Sequence, residues 1–199
     1  MTTAERAYYE QRAPEYDDFY LGTGLYAQRE RPGWQEEVEA LRVMLRSLPF
    51  RSFLDVACGT GFMTQHLPGR VVAFDQSPSM LRIARSRLPQ GVAVRGDGLA
   101  LPFRDGAFKC VIAGHFYGHL RQPQREQFLA EARRLSARLL IFDAGPHGRF
   151  GPEEVQERVL SDGSRHSVYK RFFTPALLME ELGGGQVLHA GKWFVGVLT

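Results

Sequence analysis

The feature of this chain that most constrains its fold is an apolar segment followed at once by a glycine turn, Phe53 to Gly61. The run Phe53-Leu54-Asp55-Val56-Ala57 is typical of a strand buried on both faces of a parallel sheet. Gly59-Thr60-Gly61 then predicts a tight turn in which the backbone passes close to another group. We interpret residues 62–67 as the start of a helix. Backbone N–H groups at such a turn and helix start face the space above the sheet, so we expect a nucleotide-like ligand there.

Two features of the same segment argue against a dinucleotide. A G-x-G-x-x-G fingerprint would place a third glycine at position 64, where this chain has Thr64. Asp55 lies inside the strand just before the turn, and its carboxylate would repel a phosphate while attracting a cationic or hydroxyl-bearing group. A ligand without a pyrophosphate therefore fits this turn better.

The segment Asp-Val-Ala-Cys-Gly-Thr-Gly, residues 55–61, resembles the first motif of class I S-adenosylmethionine-dependent methyltransferases. The family usually has glycine where Ala57 stands, and alanine fits this position if its φ is negative. The resemblance covers the chain from about Phe53 onward. It implies a Rossmann-like α/β fold with a seven-stranded, mostly parallel sheet, a C-terminal antiparallel hairpin and helices on both faces. It also implies S-adenosyl-L-methionine as the cofactor, bound in part by Asp55, Ala57, Gly59 and Gly61.

A second acid ends the next predicted strand, Arg70 to Phe74. In a doubly wound sheet, Asp75 would lie beside the glycine turn and within reach of both ribose hydroxyls. The alternative is that Asp75 only caps the following helix. Residues 74–81, Phe-Asp-Gln-Ser-Pro-Ser-Met-Leu, resemble the family's second motif, which favours ribose binding and implies that Gln76 and Met80 flank the adenine.

A third acid, Asp97, follows the predicted strand Val92 to Val94. The segment Gly-Asp-Gly-Leu-Ala-Leu-Pro-Phe, residues 96–103, resembles the family's third motif. Adenine offers its exocyclic amine as a donor, so Asp97 would accept it while the backbone N–H of Leu99 meets a ring nitrogen, close to Gly98. Gly-Asp-Gly alone is also a common turn sequence.

The N-terminal segment contains many aromatic residues among its charges, and Pro14 predicts a break between two short helical pieces. Such a segment can simply cover the hydrophobic core. The resemblance offers a second interpretation, because many family members that act on small molecules have a Tyr-Asp pair in a segment that folds over the cofactor. Tyr16-Asp17 matches that pair, so Tyr16 is a candidate cofactor contact.

The end of the fourth predicted strand, Phe108 to Ala113, is where we expect the chemistry. Ligands of open α/β sheets bind outside the carboxyl ends of the strands, which places Gly114 beside the cofactor. The segment lacks the Asn-Pro-Pro-Tyr that marks methyltransferases acting on planar amino groups of bases or glutamine. His115 or His119 could act as general base toward an acceptor. The alternative is that each only bonds to backbone or stacks under the cofactor.

Composition predicts one domain and no metal. A chain of 199 residues suits a single core, with residues 1–33 as an N-terminal cap and residues 144–173 as an insertion that completes the acceptor pocket. A net charge of +3, with no basic cluster, argues against nucleic acid as partner. Two cysteines and six histidines without helical H-x-x-x-H spacing predict no metal site. The absence of a long apolar span or signal peptide predicts no membrane association and a cytoplasmic location.

The remaining pattern predicts how the elements alternate. Helices are expected over 34–48, from Pro78 with Ser77 as its N-cap, over 122–135 and over 176–182. Strands are expected over 138–142 and 165–173, with a hairpin of 186–190 and 193–198. Residues 144–163 are expected to be loop, where His147, Arg149 and Arg158 are candidate substrate contacts or ordinary surface residues.

The function predicted is transfer of a methyl group from S-adenosylmethionine to an oxygen, nitrogen or carbon atom of a small molecule. Attack on a sulfonium carbon depends mainly on orientation and exclusion of water, so few residues need be indispensable for the chemistry. A nicotinamide-dependent dehydrogenase shares the strand, the turn and Asp75, but leaves Asp55, Asp97 and the hairpin unexplained. The cofactor motifs would also suit a non-catalytic cofactor-binding protein or an RNA methyltransferase.

Overall fold

The computed structural model describes residues 3–147 and 151–199, in which helices and strands alternate. The strands are β1 (Ser52–Val56), β2 (Arg70–Asp75), β3 (Val92–Arg95), β4 (Cys110–Gly114), β5 (Leu139–Ala144), β6 (Glu153–Val159), β7 (Arg165–Arg171), β8 (Gln186–Ala190) and β9 (Phe194–Leu198). The α-helices are α1 (Thr3–Arg12), α2 (Asp18–Leu21), α3 (Trp34–Arg46), α4 (Pro78–Arg87), α5 (Gln122–Leu135) and α6 (Pro175–Leu182). None of the helices in these two ranges is long and apolar enough to span a bilayer.

The main sheet has seven strands in the order β3-β2-β1-β4-β5-β9-β8. The pairs β2–β3, β1–β2, β1–β4 and β4–β5 are parallel, whereas β9 pairs antiparallel with both β5 and β8. This topology confirms the predicted Rossmann-like sheet with a C-terminal hairpin. It also places the carboxyl ends of the parallel strands along one edge, where the predicted acids follow them.

The sheet is covered on both faces because its central strands are apolar at successive positions. Phe53 contacts one cluster and Leu54 the opposite one. The face that contains Phe53 packs against α3, and the face that contains Leu54 packs against α5 and α6. Helix α4 begins as the sequence predicts, since Ser77 accepts from the Met80 N–H at 3.1 Å. Thr174 caps α6 in the same way, accepting from the Leu177 N–H at 3.1 Å.

The helix expected over 62–67 does not form, so this prediction is wrong. Only a 3₁₀ turn, Thr64–His66, follows the glycine turn. Leu67 is extended, with φ −74° and ψ 133°, because it precedes Pro68 and the proline ring disfavours the helical conformation there. No α-helix therefore begins at this turn to present its N–H groups to the ligand space above β1.

A second, two-stranded sheet lies beside the main one and was predicted only in part. β7 matches the expected strand, but β6 falls in the segment expected to be loop and pairs antiparallel with β7 over seven residue pairs. The residues of β6 are mostly polar and alternate only between exposed and half-buried positions, so no apolar period marks the strand. Tyr8 of α1 packs on this sheet through Val168 and Leu160.

Candidate functional site

A narrow cleft, of about 40 Å³, lies above the glycine turn at the carboxyl edge of the sheet. We call it the glycine-turn cleft. Phe74, Gly96, Phe116 and Tyr9 form part of its wall. The other lining residues are ones that the sequence singled out: Tyr16, Ala57, Gly59, Asp75, Gln76, Met80, Gly98 and His115. The fold therefore brings candidate residues from separate segments of the chain together in one place.

Asp75 is buried at the end of β2, and its carboxylate is bound to backbone on both sides. Oδ2 accepts from the Gly59 N–H and Oδ1 from the Ser77 N–H, each at 2.9 Å. Burial raises the pKa of this carboxyl, although these backbone donors oppose the shift. Each carboxylate oxygen can accept more than one hydrogen bond. Asp75 therefore fixes the glycine turn and the start of α4 and still has acceptor capacity toward the cleft.

Asp55 is buried inside β1 and lines a small pocket next to the glycine-turn cleft, together with Tyr16, Cys58 and Gly114. Its Oδ2 accepts from the Thr64 hydroxyl at 2.6 Å. Burial raises the pKa of Asp55 to about 7, with the Thr64 hydrogen bond opposing and Asp75 reinforcing the shift. This carboxyl can thus gain or lose its proton near neutral pH.

Replacing Asp55 by asparagine is expected to stabilise the ligand-free protein at alkaline pH. The folded-state pKa of about 7 lies above the ordinary value of 3.8. The stability that this carboxyl contributes is therefore fully present below the ordinary pKa and is lost as pH rises through 7. We expect Asp55→Asn to gain about 1–2 kcal/mol over the parent at about pH 9 and to lose this advantage toward pH 4. Urea unfolding across this pH range measures the difference, with exposed Asp105→Asn as control. A constant difference would contradict the assignment.

The glycine turn shows one departure from expectation, because Ala57 has φ 58°. The expectation that alanine fits with a negative φ is therefore wrong. A left-handed conformation costs a residue with a Cβ roughly 1–2 kcal/mol. Gly59, at φ 56°, also needs to be glycine, since a Cβ there would lie 3.1 Å from the Tyr16 ring. Ala57 is thus a strained residue at the edge of the cleft, as functional sites often contain.

Relieving that strain should stabilise the protein. Ala57→Gly removes the left-handed penalty but adds the chain entropy of glycine, about 0.5–1 kcal/mol. We expect a net gain of about 0.5–1 kcal/mol in the free energy of unfolding, measured by urea titration. Ala113→Gly, in β4, is the matched control and should destabilise instead. A loss of stability in Ala57→Gly would show that the turn does not carry the strain.

Three predicted cofactor residues lie outside the lining of these two pockets. Gly61, at φ 75°, faces α4, where a Cβ would come within 3.2 Å of the Ala84 backbone, so its structural role is packing. Asp97 accepts from the Leu99 N–H at 3.0 Å and lies 3.4 Å from Arg6. The Leu99 N–H predicted for an adenine nitrogen is therefore bound to Asp97 here. Contacts of these residues with a cofactor stay predictions.

The Tyr16-Asp17 pair is held against the glycine turn. Asp17 accepts from the Thr60 hydroxyl at 2.5 Å and forms an ion pair with Arg87. The Tyr16 ring lies over Gly59. A further link comes from Glu10, which accepts from the Ser79 N–H at 3.2 Å at the start of α4. Tyr16 of the N-terminal segment thus lines the cleft, while Tyr8 and Tyr20 of the same segment belong to buried clusters, and a cap over the cofactor stays a prediction.

His115 is a strained and buried residue where the glycine-turn cleft meets a second cavity. Its φ is 53°. Nδ1 lies 3.8 Å from the Asp143 carboxylate, and within the described chain Nε2 has no hydrogen-bond partner. Burial lowers the pKa of His115 to about 3, against the attraction of Asp143, so the ring is neutral at physiological pH. Asp143 itself is held by the Gly118 N–H at 2.8 Å and by an ion pair with Lys170.

His119 is bound differently. Its Nδ1 lies 2.8 Å from the Tyr169 carbonyl, which can only accept, so Nδ1 carries the hydrogen. Burial lowers the pKa of His119 well below its usual range. The backbone bond that was the alternative interpretation is therefore present, although the ring also lines the second cavity.

The second cavity, which we call the large cavity, has a volume of about 750 Å³ and shares Tyr9, Tyr16 and His115 with the glycine-turn cleft. Its walls come from α1, the loop before α3, the two-stranded sheet and the end of β5. Arg158 and His147, candidate contacts from the sequence, lie in its lining, and Arg149 lies outside the described residues. Sequence reasoning missed Arg12 and Lys170, which also line it. The only available signal for Arg12 was its i, i+4 spacing from Tyr8.

Comparison with known proteins bears on the family of this chain. Residues 53–138 match a family model described as a methyltransferase domain. The demethylmenaquinone methyltransferase of Thermus thermophilus is 38% identical over 126 residues, 56% of this chain and 56% of that protein. That of Renibacterium salmoninarum is 32% identical over 112 residues, 53% of this chain and 46% of that protein. The chain thus spans about half the length of these curated relatives.

Two solved structures align over nearly the whole chain. The structure described as a DhpI-SAM-HEP complex is 26% identical, with a TM-score of 0.80, and the alignment covers 100% of this chain and 98% of that one. The DhpI-SAH complex is 26% identical, with a TM-score of 0.78, and the alignment covers 98% and 94%. Together with the sheet order, these matches support a class I S-adenosylmethionine-dependent methyltransferase domain in this chain.

Proposed function

We propose that this protein uses S-adenosyl-L-methionine to methylate an oxygen, nitrogen or carbon atom of a small molecule. The observation that carries the proposal is the large cavity, which meets the glycine-turn cleft at His115 and Tyr16. A protein that only bound the cofactor would need no such space beside it. The volume of about 750 Å³ is in the range of small-molecule sites.

The glycine-turn cleft has the chemistry to hold a nucleoside that bears a positive charge. Its described lining contains no lysine or arginine that could bind a pyrophosphate. Asp75 would accept the ribose hydroxyls, Met80 and Gln76 would flank the adenine, and Asp55 lies on the side where a cationic amino acid part would extend. When bound, S-adenosylmethionine supplies a methyl group already activated by its sulfonium sulfur.

The chain's own contribution is orientation and exclusion of water. Tyr9 and Tyr16 close the boundary between cleft and cavity. Neutral His115 offers Nε2 to a nucleophile's hydrogen while Asp143 lies near Nδ1. Because burial lowers the pKa of His115 to about 3, this ring is a weak base, better suited to orient a nucleophile than to deprotonate an alcohol.

The proposal also covers the domain organisation of the chain and the cellular location of the protein. We propose a single domain in which residues 1–33 form the cap over the cofactor and residues 144–173 complete the acceptor pocket. Support comes from Tyr16 over the glycine turn and from Arg158 and Lys170 in the cavity lining. Cys58 and Cys110 are unpaired, which fits the reducing cytoplasm.

Measurements of cofactor binding and of methyl transfer test the proposal. Calorimetry should show one site for S-adenosylhomocysteine, and a metabolite extract incubated with methyl-labelled S-adenosylmethionine should yield labelled products that mass spectrometry identifies. A thermal shift with NADH and none with S-adenosylhomocysteine would remove the proposal. Binding with no labelled product from any extract would support a non-catalytic cofactor-binding protein instead.

A further inference from the structure

The large cavity is lined by more cationic than anionic side chains. Its acids are Glu15, Glu154 and Glu157. Its cations are Arg12, Arg29, Arg31, Arg158 and Lys170. The whole chain carries an excess of only three positive charges, so this concentration of arginine at one cavity is a local feature.

Arg12 is the most informative of these cations because it is buried without an anionic partner. Its side chain belongs to a residue only 5% exposed. Nη1 donates to the Tyr8 hydroxyl at 2.8 Å and Nη2 to the Tyr26 hydroxyl at 3.1 Å. Its guanidinium also lies 5.0 Å from the centre of the Tyr16 ring. Among the described residues no carboxylate pairs with it. Since burying an unpaired charge is costly, the arrangement calls for an anion that this chain does not supply.

Arg158 of β6 approaches the same Tyr8 hydroxyl. Its Nη1 lies 3.4 Å from the Tyr8 hydroxyl, so one phenol stands between two guanidinium groups. The other polar contacts of Arg158 go to the Gln156 side-chain oxygen, at 2.8 and 3.2 Å. Two cations that share a neutral partner repel each other, and an anion between them would remove that repulsion.

Acids near these arginines are engaged elsewhere. Glu157 forms an ion pair with Arg165 at 2.5 Å, and Glu15 accepts from the Ser161 N–H at 2.9 Å. Asp143 forms an ion pair with Lys170, so the charge of that lysine is already balanced within the protein. Arg29 and Arg31 lie over the rings of Tyr26 and Trp34. Arg12 and Arg158 instead share the Tyr8 hydroxyl, which makes them the two cations in the described lining that one anion could bridge.

We propose that the methyl acceptor carries an acidic group, a carboxylate or a phospho group, that binds between Arg12 and Arg158 beside Tyr8. The inference rests on the proposed function, since it names the substrate class of the same cavity. Tyr16 connects this subsite to the methyl donor, because its ring contacts Arg12 and lines the glycine-turn cleft. Planar guanidinium groups bind carboxylate and phosphate with two parallel hydrogen bonds, which would fix the acceptor's orientation.

The test compares three probes that share one ring and differ in charge: benzyl alcohol, benzoate and phenyl phosphate. Each is titrated calorimetrically into the full-length protein, with and without saturating S-adenosylhomocysteine. We expect both anions to bind about tenfold or more tightly than benzyl alcohol, and added salt to weaken only the anions. A preference for phenyl phosphate over benzoate, or the reverse, identifies which acidic group the subsite takes.

Substitutions of the two arginines test whether the anion binds between them. Arg158→Gln and Arg12→Gln should each weaken anion binding by about tenfold or more, and Arg12→Lys should do so in part because it keeps the charge but loses the planar fork. Exposed Arg104→Gln, with the same change of charge outside the cavity, should leave anion affinity unchanged. If Arg12→Gln does not fold, the anion affinities of Arg158→Gln and Arg12→Lys test the proposal.

Equal affinity for benzyl alcohol and the anions, or equal weakening by Arg104→Gln and Arg158→Gln, overturns the proposal. A wild-type protein that fails to bind S-adenosylhomocysteine contradicts the proposed function instead. The titrations without that ligand still report on the anion subsite, so the two failures are distinguishable.

Discussion

Replacing Asp75 by alanine is expected to weaken S-adenosylhomocysteine binding by about 1.5–3 kcal/mol, which corresponds to roughly 10- to 150-fold in affinity. The reason is the loss of the charge-assisted hydrogen bonds that we propose Asp75 makes to the ribose hydroxyls at the end of β2. The same change leaves the Gly59 and Ser77 N–H groups without their acceptor. An unsatisfied buried donor costs about 1–3 kcal/mol, so the free energy of unfolding should also fall.

Two comparisons separate the ribose role of Asp75 from its role in fixing the turn. Asp75→Asn keeps one oxygen acceptor for the backbone but loses the charge, so it should retain more stability than Asp75→Ala and still bind the ligand weakly. Asp105→Asn is the control, since its side chain is 80% exposed. Calorimetry measures the affinity and urea unfolding the stability. If folded Asp75→Asn bound with unchanged affinity, Asp75 would be a structural residue only.

The strand-end acids were predictable because they depend on topology. A pattern of alternating strands and helices predicts a parallel sheet, and the carboxyl ends of parallel strands lie along one edge. Asp55 and Asp75, which line the two pockets, could therefore be assigned to this edge from the sequence, whereas Asp97 follows β3 but lies outside both linings. The same reasoning placed His115 at that edge, after β4.

Backbone conformation near the glycine turn was not predictable in the same way. The φ of 58° at Ala57 is imposed by the surrounding fold, whereas the residue type alone favours a negative value. The missing helix at 62–67 did have a local signal, since Pro68 disfavours a helical Leu67.

Contacts between distant parts of the chain could not be predicted from the sequence either. β6 has no apolar period, so nothing indicated that Arg158 would face Tyr8 across 150 positions. Lys170 was assigned to a strand, but no local pattern shows that this strand would place it against Asp143, 27 positions earlier. Charged side chains on a polar strand are usually solvated, and only the tertiary structure shows that Lys170 is buried.

Lys170→Met is expected to destabilise the protein by about 3–5 kcal/mol near neutral pH, because it leaves a buried carboxylate without its counter-charge. Asp143 is fully buried. Burial alone would raise its pKa, but Lys170, His115 and the Gly118 N–H hold the pKa below its usual value. Without Lys170 that pKa should rise above the value in the unfolded chain, and the stability of the variant should then fall as pH increases from the unfolded-state pKa through the raised one. The deficit relative to the parent should thus be largest at alkaline pH and should shrink on acidification.

The same variant tests how nearby charge affects His115. Burial, together with the positive charge of Lys170, lowers the pKa of His115 to about 3. Removing that positive charge leaves Asp143 to attract a proton, so the His115 resonance should titrate at a higher pH when followed by NMR. Exposed Lys109→Met should change stability by less than about 0.5 kcal/mol and leave His115 unaffected. Adding Asp143→Asn to Lys170→Met should recover part of the lost stability, because it removes the unpaired charge. If the double variant is no more stable than Lys170→Met, the loss comes from packing. If the His115 resonance in Lys170→Met titrates as in the parent, the charges of Asp143 and Lys170 do not control His115.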